Sequence, residues 1–129
     1  MSTEKNNITV IIPVHELTDK TRPLFEIAIE SLAAQVVKPD AVLIVVPKGS
    51  EVAESVNTYK FEFGSDVSIL ENDGETDFCT QINFGVENTK TEWFSILEYD
   101  DEYSSIWFKN AVKYIKAYPE VGIFMPMIA

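Results

Sequence analysis

Glu98, Asp100, Asp101 and Glu102 set four carboxylates within five positions, directly after the apolar run FSIL. Two unit charges about 4 Å apart repel by roughly 4 kcal/mol at an effective dielectric near 20. Such a cluster must be relieved by a cation or by full solvation. Hard carboxylate oxygens suit Mg²⁺ or Mn²⁺. The bland alternative is a solvated acidic loop favoured by the dipole at the start of the next helix. The whole chain carries the same sign, with a net charge of −11. That balance speaks against nucleic acid, whose binding rests on clustered Lys and Arg neutralising phosphates. A phosphorylated ligand at the acids would need a divalent metal between the two negative partners.

With 129 residues and 46% hydrophobic content, the chain suits one globular domain over its full length, able to bury a core without staples. The start, MSTEKNN, has no apolar export segment, and the longest oily runs fall far short of the roughly 20 residues a membrane span needs. One cysteine, Cys79, and one histidine, His15, make neither an internal disulfide nor a Cys/His zinc site, and a reducing cytoplasm is the expected setting. Cys79 is expected to be packed inside a helix.

The runs ITVIIPV (Ile8 to Val14) and AVLIVVP (Ala41 to Pro47) read as strands buried on both faces, hence a parallel sheet. Between them Thr21, Arg22 and Pro23 open a helix carrying Leu24, Ile27, Ala28 and Leu32, stopped by Pro39. The cycle repeats with a strand at Val67 to Leu70, an acidic turn from Glu71, a helix from Phe78 to Glu87 and a strand at Trp93 to Glu98. Ser104 and Ser105 are expected to cap a last helix with Trp107, Ala111, Tyr114, Ile115 and Tyr118 on one face, before VGIFMP begins another strand. Residues 51 to 64 show a weak helical pattern with KFEFG as a short strand. The fold class is therefore α/β, an open and mostly parallel sheet with helices on both faces and right-handed crossovers. Its chemistry belongs at the strand carboxyl ends, Pro13 to Glu16, Pro47 to Ser50, Glu71 to Asp77 and Glu98 to Asp101.

Several familiar sites are excluded by spacing. No G-x-G-x-x-G follows the first strand, and no G-x-x-x-x-G-K-[ST] accompanies the acidic strand end. In ENDGETD, setting Gly74 at the invariant glycine of a calcium loop puts Ile69 and Thr80 where carboxylates are required. No G-x-S-x-G marks a serine nucleophile.

The order ITVIIPVHE, AVLIVV and INFGVENTKTEWFSILEYDDEY resembles the amino-terminal half of the family 2 glycosyltransferases of GT-A fold, from Ile8 to Met125. Asn83 and Gly85 match the family's Asn-x-Gly, and Glu98-Tyr99-Asp100 stands where Asp-x-Asp is found. The resemblance implies a nucleotide-sugar donor, transfer with inversion, and Mn²⁺ or Mg²⁺ held at Asp100 with support from Glu98. It implies that His15 lies against the base and that Asp73, Gly74 and Asp77 touch base or phosphates. Pro13, Glu16 and Tyr99 complete the implied donor site. The acceptor, a saccharide, lipid or protein, is left open, and the general base is expected beyond Ala129, in a longer chain.

Where the family has Val-Asp-Asp-Gly-Ser, with an aspartate gripping uracil, this chain reads VVPKGS, so Pro47 and Lys48 replace both acids. That leaves Lys48 to meet a phosphate or another base. Two other readings stay open, a non-catalytic binding or assembly module that keeps the fold, and a phosphotransfer or receiver-like α/β domain.

Overall fold

The structure, a computed structural model, describes residues 6–61, 64–73 and 77–125. Its elements are β1 (Ile8–Pro13), α1 (Arg22–Ala33), β2 (Ala41–Pro47), α2 (Glu51–Val56), β3 (Asp66–Asn72), α3 (Phe78–Glu87), β4 (Trp93–Ile96) and α4 (Trp107–Ala117). The four strands form one parallel sheet in the order β3-β2-β1-β4. Ile11 sits at the centre of the register, opposite Leu43 on one side and Ile96 on the other.

β1 is buried at all six positions, because it lies inside the sheet and both of its faces are covered. Val10, Ile12, Val42, Ile44 and Val46 point to the larger core, where they meet Phe25, Ala28 and Leu32 of α1, Val56 of α2 and Phe108 of α4. Ile11 and Val45 point the other way, onto Ile82 of α3. This division follows from the connections. The chain steps from β1 to β2 to β3 in one direction and then back across the sheet to β4, so right-handed crossovers put α1 and α2 on one face and α3 on the other. Phe25 and Phe108 are the largest fully buried side chains among the described residues. Each contributes about 2–3 kcal/mol by leaving water.

Several local expectations are corrected. Neither Ser104 nor Ser105 caps α4, whose start makes no side-chain cap bond of its own. Instead Gln35, just past the end of α1, accepts from Phe108 N at 3.2 Å and donates to the Ser104 carbonyl at 2.6 Å, so a side chain from the segment after α1 satisfies the free donor. Of the expected apolar face of α4, Trp107, Ala111 and Ile115 pack on the core, whereas Tyr114 and Tyr118 are exposed and stack on each other. Residues 121–125 form no strand. Val121 N donates to the Tyr118 carbonyl, and Phe124 lies against Trp93 with ring centroids 5.6 Å apart. Lys60, Phe61 and Gly64 are not in a strand either, and residues 62 and 63 lie outside the described set. Cys79 is exposed rather than packed, because α3 buries Gln81, Ile82 and Gly85 while its first turn stands clear of the sheet. Among the described residues no helix is long and apolar enough to cross a membrane.

Candidate functional site

The direction of chain progress reverses between β1 and β4, and open α/β sheets bind ligands outside the strand carboxyl ends at such a switch. A cleft of about 380 Å³ lies there. Pro13 and His15 line it from the end of β1, Asp77, Phe78 and Gln81 from the start of α3, and Glu98, Tyr99 and Asp100 from the turn after β4. A larger groove of about 830 Å³ runs beside β4 and α4, and none of the sequence-predicted site residues lines it.

The acidic run is a loop pinned at both ends. Leu97 is buried and its N–H donates to the Ile11 carbonyl, so backbone pairing continues one residue past β4. At the other end Tyr103 is buried, its N–H donating to Ser31 Oγ at 3.1 Å and its hydroxyl paired with Ser95 Oγ at 2.5 Å. Burial holds the Tyr103 hydroxyl well above the ordinary tyrosine range, so it stays protonated. Between these anchors Asp101 N donates to the Glu98 carbonyl at 3.0 Å, closing a turn. The strand ends at Ile96, short of the expected Glu98, so Glu98 and Asp100 reach the cleft from a turn. Glu98 and Asp100 line the cleft, whereas Asp101 and Glu102 are exposed outside it. The four acids thus divide into two facing the cleft and two in solvent.

Tyr99 is held from two sides. Its ring meets His15 edge to face at 5.5 Å and 76°, and its hydroxyl donates to Glu16 Oε1 at 3.1 Å. Burial, then the Glu16 hydrogen bond and the charges of Glu16, Asp100 and Glu98, raise the Tyr99 pKa, so the hydroxyl remains a donor at neutral pH. Glu16 acts here through Tyr99 and does not itself line the cleft.

Asp73 stands apart from these residues. It lies 3.9 Å from Lys48 Nζ in an ion pair exposed on both sides, worth less than about 1 kcal/mol. Gly74 lies outside the described residues. Asp77 is in the cleft and also caps α3, its carboxylate accepting from Thr80 N at 3.1 Å and from the Thr80 hydroxyl at 2.6 Å. Those Thr80 bonds hold its pKa below the ordinary aspartate value of 3.8. A depressed carboxylate pKa contributes stability that is present above the unfolded value and lost as pH falls through the folded one. Asp77→Ala should therefore lower Tm at pH 7, and the gap to wild type should narrow as the pH drops below about 4. Thermal melts of both proteins across that range check this.

Gln81 and Phe78 were not singled out from the sequence as site residues. The signal for Gln81 was an amide on the helix face that also carries Ile82 and Gly85, a place where a polar group needs partners. Phe78 is 46% exposed at the cleft wall, a large apolar side chain left open where a ligand would cover it. No three His, Cys, Asp or Glu side chains among the described residues converge to hold a metal by themselves.

An open parallel sheet with its cleft at the β1/β4 switch, lined by carboxylates and aromatic rings, is an α/β fold of GT-A type. The chain belongs to glycosyl transferase family 2, whose sequence model matches residues 9–128. Among solved structures it is similar to S. aureus TarS, with 20% identity and a TM-score of 0.64 over 87% of this chain and 20% of that one. It is likewise similar to TarS 1-349 in complex with UDP-GlcNAc, with 20% identity and a TM-score of 0.65 over 87% of this chain and 32% of that one. The UDP complex of the same TarS segment gives 20% identity and a TM-score of 0.64, again over 87% and 32%. The chain thus spans a third or less of the length of these structures. No curated protein matches it in sequence.

Proposed function

We propose that this chain is the donor-binding part of a metal-assisted, inverting glycosyltransferase, taking a nucleoside diphosphate sugar into the β1/β4 cleft. The observation that carries the reading is the cleft itself, where the paired rings of His15 and Tyr99 stand beside the carboxylates of Glu98 and Asp100. The rings suit a flat base, and the carboxylates suit a diphosphate only through a divalent cation. The donor set fits such a cation. Mg²⁺ is commonly held by one or two carboxylates together with substrate phosphates rather than by an all-protein cage, so two exposed acids suffice. Asp100 would be the direct ligand and Glu98 its support, and the bound ion would offset charge on the departing nucleoside diphosphate. Pro13 lines the cleft from the end of β1, Glu16 steadies Tyr99, and Asp77 would face the ligand from the start of α3. The complex of TarS 1-349 with UDP-GlcNAc makes a UDP-sugar the first donor to test. The acceptor would be a saccharide, lipid or protein whose hydroxyl loses its proton to a general base as it attacks the donor.

A binding or assembly module is the second reading, and one observation favours it. Lys48 stands where the family places an acid, and it is paired with Asp73 rather than turned into the cleft. The two readings agree on ligand binding and separate on turnover.

The test of the site is residue-resolved. Addition of UDP with Mg²⁺ should shift the NMR signals of His15, Tyr99 and Asp77 while leaving Phe124 and Tyr114, in the groove beside β4, unmoved. Shifts confined to that groove would contradict the assignment.

A further inference from the structure

Gln81 is 1% exposed, yet it lines the cleft. Its Nε2 donates to the Val14 carbonyl at 3.2 Å and to the Val45 carbonyl at 3.4 Å, at the ends of β1 and β2. Those partners settle which way round the amide stands, since a reversed amide would set its oxygen against two carbonyl oxygens. No hydrogen bond among the described residues uses Gln81 Oε1. No buried side-chain oxygen or nitrogen among them lacks a partner either, so this oxygen reaches the cleft. It is a neutral acceptor, immobilised by two bonds to strand ends, with no donor to offer.

We propose that Gln81 sets base specificity by accepting a hydrogen bond from the imide N–H of a pyrimidine base, which selects uracil over cytosine. The inference rests on the nucleotide-sugar reading and deepens it. Glu98 and Asp100 lie after β4, whereas Gln81 is anchored between β1 and β2, so a diphosphate bound through metal at the acids leaves the Gln81 end for another part of the ligand. The aromatic walls on that side, His15 next to Val14 and Phe78 on α3, suit a flat ring there better than a hydroxylated sugar. An amide oxygen facing that ring meets a donor in uracil, at N3–H, and an acceptor in cytosine, at N3. A buried group that loses its partner rejects the wrong ligand strongly. The chain lacks acids at Pro47 and Lys48, so the acceptor comes from α3 instead.

The experiment is a calorimetric comparison of UDP, CDP and N3-methyl-UDP on the whole chain at saturating Mg²⁺. The expected result is that wild type binds UDP at least about tenfold more tightly than either analogue. In Gln81→Met, which keeps length but offers no amide oxygen, the three affinities should converge. Should that variant fail to fold by circular dichroism, the wild-type preference for UDP over CDP decides alone, because CDP adds no bulk. Equal binding of UDP and CDP by wild type, or a preference that survives in folded Gln81→Met, overturns the assignment while leaving the donor-site reading intact. Failure of every nucleoside diphosphate, including GDP and ADP, to bind overturns both.

Discussion

Gly85→Val is expected to destabilise the chain by about 3 kcal/mol, which lowers Tm by roughly 10 °C in a domain of this size. A Cβ at Gly85 would stand 2.6 Å from Ile11 Cγ2 and 3.3 Å from Ile11 Cδ1. Ile11 is fully buried at the centre of the sheet, and Cγ2 hangs directly from a β-branched carbon, so it cannot swing aside without moving β1. The close approach of α3 to the sheet therefore requires glycine. In an Ile11→Ala background the clashing methyl is gone, and valine should cost at least about 1 kcal/mol less than it does in wild type. Denaturant melts of the four proteins measure this coupling. Equal costs in both backgrounds would mean that α3 sits farther from β1 than described. The same contact bears on function, because α3 carries Asp77, Phe78 and Gln81 into the cleft.

The parallel sheet was legible because β1 and β2 are continuous β-branched runs, a pattern that arises when both faces of a strand are covered. Gly85 was visible as half of an Asn-x-Gly motif, although its physical reason, the approach to Ile11, exists only in three dimensions. The caps of α4 were misread for a related cause. Serines near a helix start are a local signal, whereas the donor is satisfied by Gln35, distant in sequence. The last strand expected, at VGIFMP, rested on an apolar run, and such a run is equally served by ring packing on Trp93. Pro13, His15, Glu98, Tyr99 and Asp100 line one cleft because topology puts strand ends together. Gln81 was missed because its value lies in the orientation of one amide, set by carbonyls on two other elements.

Asp100→Asn should weaken metal-dependent binding of UDP by more than about tenfold, or roughly 1.4 kcal/mol. The substitution keeps the side chain's size and removes one anionic oxygen from the cleft. Asp101→Asn and Glu102→Gln lie two steps and less along the same loop, but outside the cleft, and each should leave binding within about twofold of wild type. This contrast separates a ligand role from a general effect of charge, since each change removes one negative charge from a chain of net charge −11. A general electrostatic effect would move all three variants alike, and in the opposite sense, because removing negative charge favours an anionic ligand. If Asp100→Asn binds as wild type does, the cleft acids hold no metal.

The most direct measurement of the central claim is a calorimetric titration of the wild-type chain with UDP in Mg²⁺ and again in EDTA. The metal-bridged cleft predicts binding in Mg²⁺ and a loss of at least about tenfold in EDTA, because a bare diphosphate gains nothing from approaching Glu98 and Asp100. Equal affinity in the two buffers, or no binding in either, would contradict it.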